Sequence, residues 1–570
     1  MASTRGFANT KILIIGGGIS GMAMAIALTT SYNIKDIVIV EKSSGFGGTW
    51  RDNIYPGAAC DVFSSLYSFS FAQKFDFTRS LPGQEELLEY LTDVAQEYKL
   101  YQIARFNSSV RQMEWNNAEM KWHTTISVDG GKDAEYGNSY EIVSDFVISA
   151  IGQLCKPKGF DIPGLSDFHG KVMHSARWDR GFDIANKRVA IVGTGATAAQ
   201  IVPEIAKSTA HLTVCQRTPG FVIPRHDQEL PQWERLLRFY FPPLRSRIRA
   251  EAMNFRELFH SAVTQADSPY AALMRKMNDG LLQKQLGHRP DLQEKVKPRY
   301  NPGCKRTVIS NDYYPTLARD NVDLETAKIE RITENGIKFE GADQVKEIDV
   351  LILATGFDTF NFLGGLQISG INGQKLEDIW PEGVAKALKG IMIPNIPNFG
   401  MLYGPNTNLS HNSLILVIEA QARCLAAMIN TIYSVREAEG GSLAVWPKKE
   451  VTERYWEKLQ EKLQNTSFAD PDCTSWWRRH DGTIVNNWPG TAIDYQRLLE
   501  EIKWDDFDAA GTAAKKFNEE ISKKSTQNVP RVVEEAWLSR GALTAMALAG
   551  LAGGVILHRV WRHFGPLRMG

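Results

Sequence analysis

Two glycine-rich turns, each with a charged residue about twenty positions downstream, carry the most legible chemistry in this chain. Gly16-x-Gly18-x-x-Gly21 follows the apolar run Lys11–Ile15 and leads into the Ala-rich segment Met22–Leu28, the strand, turn and helix of a dinucleotide-binding unit. The glycines let backbone amides approach a pyrophosphate, whose charge is stabilised at the helix N-terminus. A second apolar run, Ile37–Val40, ends at Glu41, twenty positions after Gly21, where a carboxylate accepts hydrogen bonds from a ribose diol. Glu41 therefore favours an unphosphorylated ribose. A lone glycine triplet would be only a flexible turn, but strand, helix and acid in register make it a binding site.

The arrangement returns once with a change of charge. Arg188–Val192 reads as a strand, Gly193-x-Gly195-x-x-Ala198 as the turn, and Leu212–Cys215 as the next strand, followed by Gln216, Arg217 and Thr218. Arg217 stands nineteen residues after Ala198, where a guanidinium pairs with a 2′-phosphate that a carboxylate would repel. The second site thus selects NADPH over NADH. Ala198 in place of the third glycine slightly loosens helix–strand packing.

The elements that position these turns divide the chain. Asp145–Gly152 and Asp349–Gly356 are acid-led apolar strands ending in a small residue and glycine, and each is expected to close one nucleotide domain. The fold class is therefore α/β, with two Rossmann-like dinucleotide-binding domains, the second inserted in the first. The boundaries read as 1–152 and 350–505 for the first nucleotide domain, and 160–225 with 300–348 for the second, NADPH-binding domain. Residues 226–299, with Leu236, Leu237, Phe239 and Tyr240 and then Met274, Met277, Leu281 and Leu282 at mixed helical spacings, predict a helical insertion that could roof a substrate cleft or simply pack as core.

Composition narrows the class. With 570 residues, 43% hydrophobic, the chain can bury a large core and form two or three domains. Lys+Arg and Asp+Glu are both 65, so no global field draws it to the phosphates of nucleic acid. The six cysteines, Cys60, Cys155, Cys215, Cys304, Cys424 and Cys473, lack a CxxC or Cys/His spacing; this argues against a metal site, a disulfide framework or a redox dithiol and fits a reducing compartment. The polar N-terminus enters the first nucleotide motif at once, leaving no room for a cleaved signal peptide.

The C-terminus differs from the body. Residues 541–557, GALTAMALAGLAGGVIL, carry no charge and are bounded by Arg540 on one side and His558, Arg559 and Arg562 on the other. As a helix at 1.5 Å per residue the stretch would reach about 25 Å, the short end of what spans a bilayer. It reads as a tail anchor that leaves the catalytic body in the cytosol. The alternative is a small-residue helix packed on the body or in a dimer interface of a cytoplasmic protein, with Gly550 and Gly554 allowing close contact. Residues 506–540, charged and rich in Ala, Lys and Glu, read as a solvated linker or helix.

Between the two nucleotide motifs lies FHGKVMHSARWD, residues 168–179, which resembles the FxGxxxHxxxW(P/D) fingerprint of type I Baeyer-Villiger monooxygenases, through His174 and Trp178. Residues 47–61, GGTWRDNIYPGAACD, are similar to that family's second motif, GGxWxxxx(F/Y)PGxxxD, without a mismatch. Gly303-Cys304-Lys305-Arg306, followed by Asn311–Tyr314 and Arg319–Val322, is similar to the segment holding the family's active-site arginine. The resemblance implies an FAD- and NADPH-dependent enzyme that inserts one oxygen atom from O2 beside a ketone carbonyl, by way of a C4a-peroxyflavin, to give an ester or lactone.

By this resemblance Arg306 would hold the anionic oxygen species and Asp61 would orient Arg306. Lys305 would seat the NADPH phosphate, and Thr49, Trp50, Asp61, Tyr67 and Val110 would line the FAD site. His174 and Trp178 would couple the domains rather than transfer protons. The loop Gly404–Asn412 is expected near the flavin, with Trp476, Trp477 and Asn486–Pro489 shaping the pocket. Heteroatom oxygenases of the same architecture are the rival reading, and they usually lack the YPGxxxD half of the second motif. A membrane-tethered flavoprotein scaffold without turnover is the other. Molecular oxygen and a bulky apolar ketone are the expected small-molecule partners.

Overall fold

The computed structural model describes residues 9–130, 137–521 and 526–535. Two sheets organise it, the first mixed and the second all parallel. In the first, Ala104–Arg105, Ile37–Val40, Asn9–Ile15 and Ser139–Ser149 run side by side in parallel, and Phe399–Met401 adds to the last of these, also parallel. The antiparallel strands Ser108–Asn116 and Lys121–Val128 extend the sheet from Ser139–Ser149. In the second sheet, Val322–Glu325, His211–Cys215, Arg188–Val192, Val350–Leu353 and Lys171–His174 are all parallel. The near-continuous aliphatic content and burial of the central strands Arg188–Val192 and Val350–Leu353 fit a sheet covered on both faces.

The helix Leu414–Glu439 covers the first sheet and packs on the helix Ile19–Tyr32. Ser413 starts it by accepting a hydrogen bond from the Ile415 amide, and Gly440 ends it at φ +60°, the left-handed conformation that glycine adopts without steric cost. Among the described residues it alone is long and apolar enough to cross a membrane, yet most of its apolar stretch is buried in the protein. It is the central core helix, and each fully buried Leu or Ile on it contributes about 1.5–3 kcal/mol.

The internal echo in the sequence has a steric cause. Gly16 (φ +112°) and Gly193 (φ +122°) begin the two nucleotide turns, and a Cβ on them would lie 2.5 Å from the Ala150 carbonyl oxygen and 2.4 Å from that of Ala354. Each repeat therefore ends where its backbone meets the first glycine of its own turn.

Val350–Leu353 pairs with Arg188–Val192 and Lys171–His174, which corrects the expected boundary at 350. The chain returns to the first domain only after Leu353. The two crossings zip together as an antiparallel ribbon: the Lys158 amide donates to Gly356 O and the Asp358 amide to Lys156 O, each at 2.9 Å, around a bridge between Pro157 and Phe357.

Residues 232–296 are helical, and their insertion ties into both domains. Met253 and Leu230 join the core of the first, whereas Leu281, Leu282 and Leu286 join that of the second.

Two expectations are corrected. Part of residues 506–540 is packed structure rather than a solvated linker: Phe507–Ala510 pairs with Ala444–Pro447, Thr526–Asn528 pairs with Glu501–Lys503, and Phe517 and Val529 are buried. Sparse apolar anchors in a charged background do this without any helical periodicity. Cys304 and Cys473 form a disulfide, with Cα atoms 6.3 Å apart although the two stand 169 positions apart in sequence. No local spacing could announce a pair so distant in sequence. The stretch 541–557 lies outside the described residues.

Candidate functional site

The first turn is built for a pyrophosphate. A Cβ at Gly21 would sit 1.9 Å from Gly16 O, and one at Gly48 would sit 2.8 Å from Gly18 Cα. Strand, helix and the following loop thus approach to backbone contact, leaving the amides of the turn at the N-terminus of Ile19–Tyr32, where an anion is stabilised. Glu41 is buried at the end of Ile37–Val40 and accepts from the Gly17 amide at 2.6 Å and the Ser43 amide at 2.7 Å. These bonds aim its carboxylate and leave lone pairs for a diol. The cradle fits a dinucleotide with an unphosphorylated ribose.

Thr49 and Trp50 open a single helical turn, Thr49–Asp52, directly against Gly18. Trp50 Nε1 donates to Tyr67 Oη at 3.1 Å, and the two rings meet edge to face. Burial pushes the Tyr67 phenol well above its ordinary pKa, so it stays neutral. Val110 packs in the core with Ile15 and Val40, forming the wall behind the strand ends.

In the second domain Gly195 caps the helix Ala196–Ile205, and Ala198 is fully buried against the sheet. A methyl group fits there. Arg217 follows His211–Cys215 and is exposed, while Thr194 Oγ1 donates to Thr218 O at 3.1 Å and fixes the loop. Lys305 lies close enough to Arg217 to feel its charge; burial first, and Arg217 second, push its ammonium down to about 8. Its side chain lies over the Tyr300 ring. Two cations converging without a carboxylate suit a phosphate dianion.

Arg306 and Asp61 form a two-point pair: Nε donates to Oδ2 and an Nη to Oδ1, both at 2.7 Å. About a quarter of each side chain is exposed, so the pair faces a solvent-open space. Burial alone would raise the Asp61 carboxyl, but the Arg306 charge outweighs it and holds the group below the usual carboxylate range. Asp61 in turn raises the Arg306 guanidinium. Arg306 remains a permanent cation with a fixed plane. Sequence reasoning missed Arg256, on the helix Pro242–Leu258, which donates to Asp61 O at 3.2 Å. It comes from the insertion, where nothing local marks one arginine among several.

The loop carrying Lys305 and Arg306 is held from outside by the Cys304–Cys473 disulfide and by the Asn301 amide donating to Asp470 at 2.8 Å. On the opposite side, Tyr403 lies near Arg306 and donates to Asn408 Oδ1 at 2.8 Å; Asn408 donates to Asn487 Oδ1 at 2.6 Å, and Asn486 donates to Gln153 at 3.0 Å. The asparagine-rich loops found in the sequence therefore brace each other. Trp477 is fully buried in a satellite core with Leu459, Leu463 and Phe468, which corrects its expected place in the pocket wall.

His174 ends the edge strand of the second sheet, accepts from the Ala176 amide at 3.0 Å and meets Phe357 edge to face. Burial pushes its imidazole below the ordinary value, with the Gly356 backbone acting against the shift. Trp178 packs against the core of the second domain. Both residues thus sit beside the ribbon that joins the domains. A second tie spans them: Tyr55 Oη donates to Gln200 Oε1, and Gln200 Nε2 donates to Ala59 O, each at 2.9 Å.

The flavin-binding monooxygenase-like family matches residues 9–546, and the chain belongs to it. It is 42% identical over 551 residues to the FAD-binding monooxygenase ktnD of Aspergillus niger, covering 96% of this chain and 89% of that protein. A Baeyer-Villiger monooxygenase of Streptomyces coelicolor is 36% identical, over 87% of this chain and 91% of its own. Among solved structures, an oxidized steroid monooxygenase bound to NADP superposes with a TM-score of 0.74 at 25% identity, over 92% of this chain and all of that one.

Proposed function

We propose that the protein is a Baeyer-Villiger monooxygenase that uses FAD, NADPH and O2 to convert an apolar ketone to an ester or lactone. The observation that carries this reading is the Arg306–Asp61 pair, a fixed guanidinium about a quarter exposed and directly adjacent in sequence to Lys305, which lies near Arg217 at the second nucleotide turn. The relatives named Baeyer-Villiger monooxygenase support it, as do the unbroken motifs around Trp50, Asp61, His174 and Trp178.

When bound, the nicotinamide supplies a hydride and the reduced flavin supplies electrons to O2. The residues of this chain do the rest. The Gly16–Gly21 turn and Glu41 hold FAD, and the Gly193–Ala198 turn, Arg217, Thr218 and Lys305 hold NADPH. Arg306, already oriented by Asp61, presents its N–H groups to negative charge developing on the reacting oxygen and then on the carbonyl oxygen of the ketone. Because the guanidinium stays protonated, it stabilises these charges without taking part in proton transfer. Arg256 adds a second positive charge behind Asp61; the Phe63 ring lies against its guanidinium, and Phe255 and Phe259 extend the cluster in tilted and edge-to-face contacts, an apolar surface that would suit a bulky substrate.

Purified enzyme with NADPH, 18O2 and a panel of cyclic, aryl and steroid-like ketones tests this. The expected product gains one labelled oxygen in an ester or lactone. Oxidation of amines or thioethers with ketones untouched would overturn it.

We also take residues 541–557 to anchor the chain in a membrane with the catalytic body in the cytosol. The uncharged run between arginines supports this. Carbonate extraction and protease protection of the full chain in microsomes test it, and a freely soluble chain would refute it.

A further inference from the structure

The helix Gln232–Tyr240 is amphipathic in the wrong sense for a soluble protein. Trp233, Leu236, Leu237 and Tyr240 recur at i, i+3, i+4 and i+7 on one face, and they are 66%, 47%, 46% and 76% exposed. Glu234 and Arg238 pair with one another on the other face, toward the body, with 27% and 12% of their side chains exposed. No residue of this helix is buried. Its apolar stripe faces outward and its charges face in. Phe241, the next residue, is also half exposed.

Behind the helix lies a shallow surface recess lined by Lys74, Arg238 and Arg245 together with Ser65, Ser68, Gln73, Phe75 and Ile248. Ser68 Oγ and Arg238 Nε are buried there without a hydrogen-bond partner; Lys74 pairs with Asp76 at 3.0 Å and Arg238 with Glu234, while Arg245 makes no ion pair among the described residues. The position where the chain is last described is close by. On the next helix, Pro242–Leu258, Arg249 forms a buried ion pair with Glu534 at 2.6 Å, and Asn254 donates to Glu535 O at 3.1 Å. The 35 residues beyond, with their uncharged run at 541–557, therefore start beside the helix that directly follows the one carrying the outward stripe.

We propose that Gln232–Tyr240 lies in the surface of an anionic lipid bilayer, its Trp233, Leu236, Leu237 and Tyr240 side chains among the acyl chains and a lipid headgroup phosphate against Lys74, Arg238 and Arg245. A helix at the interface buries its apolar face to the depth of the upper acyl chains and keeps its polar face at the headgroups. Here the polar face is also the face that holds the helix to the body. Aromatic residues at both ends of the stripe suit this depth, and the cations add the attraction of an anionic leaflet. A second copy of this chain would satisfy the apolar stripe but would leave Arg245, which has no ion pair among the described residues, without a counter-charge. This contact goes beyond the oxygenation chemistry and does not depend on it.

The test uses the full chain in a Cys155→Ser background, with nitroxides attached at Leu237→Cys or, separately, Tyr240→Cys, and at Lys458→Cys as a control. Flavin content verifies folding of each variant. With phosphatidylcholine vesicles containing phosphatidylserine, both stripe labels should gain accessibility to O2 and lose it to a water-soluble nickel complex, and the change should shrink without phosphatidylserine. Leu236→Glu with Leu237→Glu should lower partitioning onto the anionic vesicles at least tenfold and leave ketone-stimulated NADPH oxidation in solution unchanged. If the protein sediments with vesicles while the stripe labels stay as open to nickel as the control, the tail alone holds the membrane and the proposal fails. It fails equally if the labels are already shielded without vesicles, whether at every protein concentration or only at high ones, because the chain itself or a second copy then covers the stripe.

Discussion

Lys305 and Arg217 bring two positive charges together at one end of the second nucleotide turn, and neither has a carboxylate partner among the described residues. Such a repulsive pair raises the free energy of the empty site and is relieved by a dianion.

Arg217→Ala should lower kcat/KM for NADPH by about 10- to 100-fold, the worth of a charge-assisted hydrogen bond, and leave that for NADH nearly unchanged. Steady-state kinetics with both nucleotides measure it. Equal losses for the two would show that Arg217 does not read the 2′-phosphate.

Lys305, with its pKa near 8, gives NADPH affinity a pH dependence of known sign. Below that value the ammonium is charged and binding is at full strength; above it the proton is lost and KM rises. Lys305→Arg should flatten the profile, since a guanidinium keeps its charge. Stability runs the other way. An unfolded lysine holds its proton to about 10.4, so between about 8 and 10 the unfolded chain binds more protons and this group adds stability as pH rises.

Arg306→Ala should leave flavin reduction by NADPH largely intact and cut product formation by about 10²- to 10³-fold, as expected when a charge-stabilising donor is removed, with hydrogen peroxide appearing instead. Stopped-flow reduction and product analysis separate the two steps. Asp61→Asn keeps the size of the side chain and removes its charge; it should fall between wild type and Arg306→Ala. Failure of reduction alone would assign Arg306 the wrong task.

Cys473→Ser releases the outer tether of the Lys305–Arg306 loop. Loss of the disulfide should cost about 2–4 kcal/mol of stability and raise KM for NADPH several-fold. Dithiothreitol should reproduce the KM effect in wild type and add nothing in the variant. A wild type insensitive to reductant would mean that the Asn301–Asp470 contact suffices to hold the loop.

What could be read before folding was whatever depends on local spacing. Gly16, Gly21, Glu41 and Gly193 act through backbone geometry fixed within a few tens of residues, and even the repeat ending at Ala150 and Ala354 was visible as a pattern, although its steric cause was not. Arg256 and the Cys304–Cys473 pair were not legible, because each acts on the site across more than 160 residues of chain and is placed only by packing. The position of Val350–Leu353 in the second sheet also escaped reading, since an apolar strand does not declare which sheet it joins. The inverted face of Gln232–Tyr240 was periodic in sequence, and only the fold shows which side is out.

The paired crossings at Lys156–Lys158 and Gly356–Asp358 have a mechanical consequence. A domain hung from a single peptide linker can swivel about every bond in it, whereas two antiparallel segments laced by amide hydrogen bonds bend across their width but resist torsion and sliding. The inserted domain should therefore open and close over its neighbour along one arc, like a door on a two-pin hinge, returning its cargo to the same register on every swing.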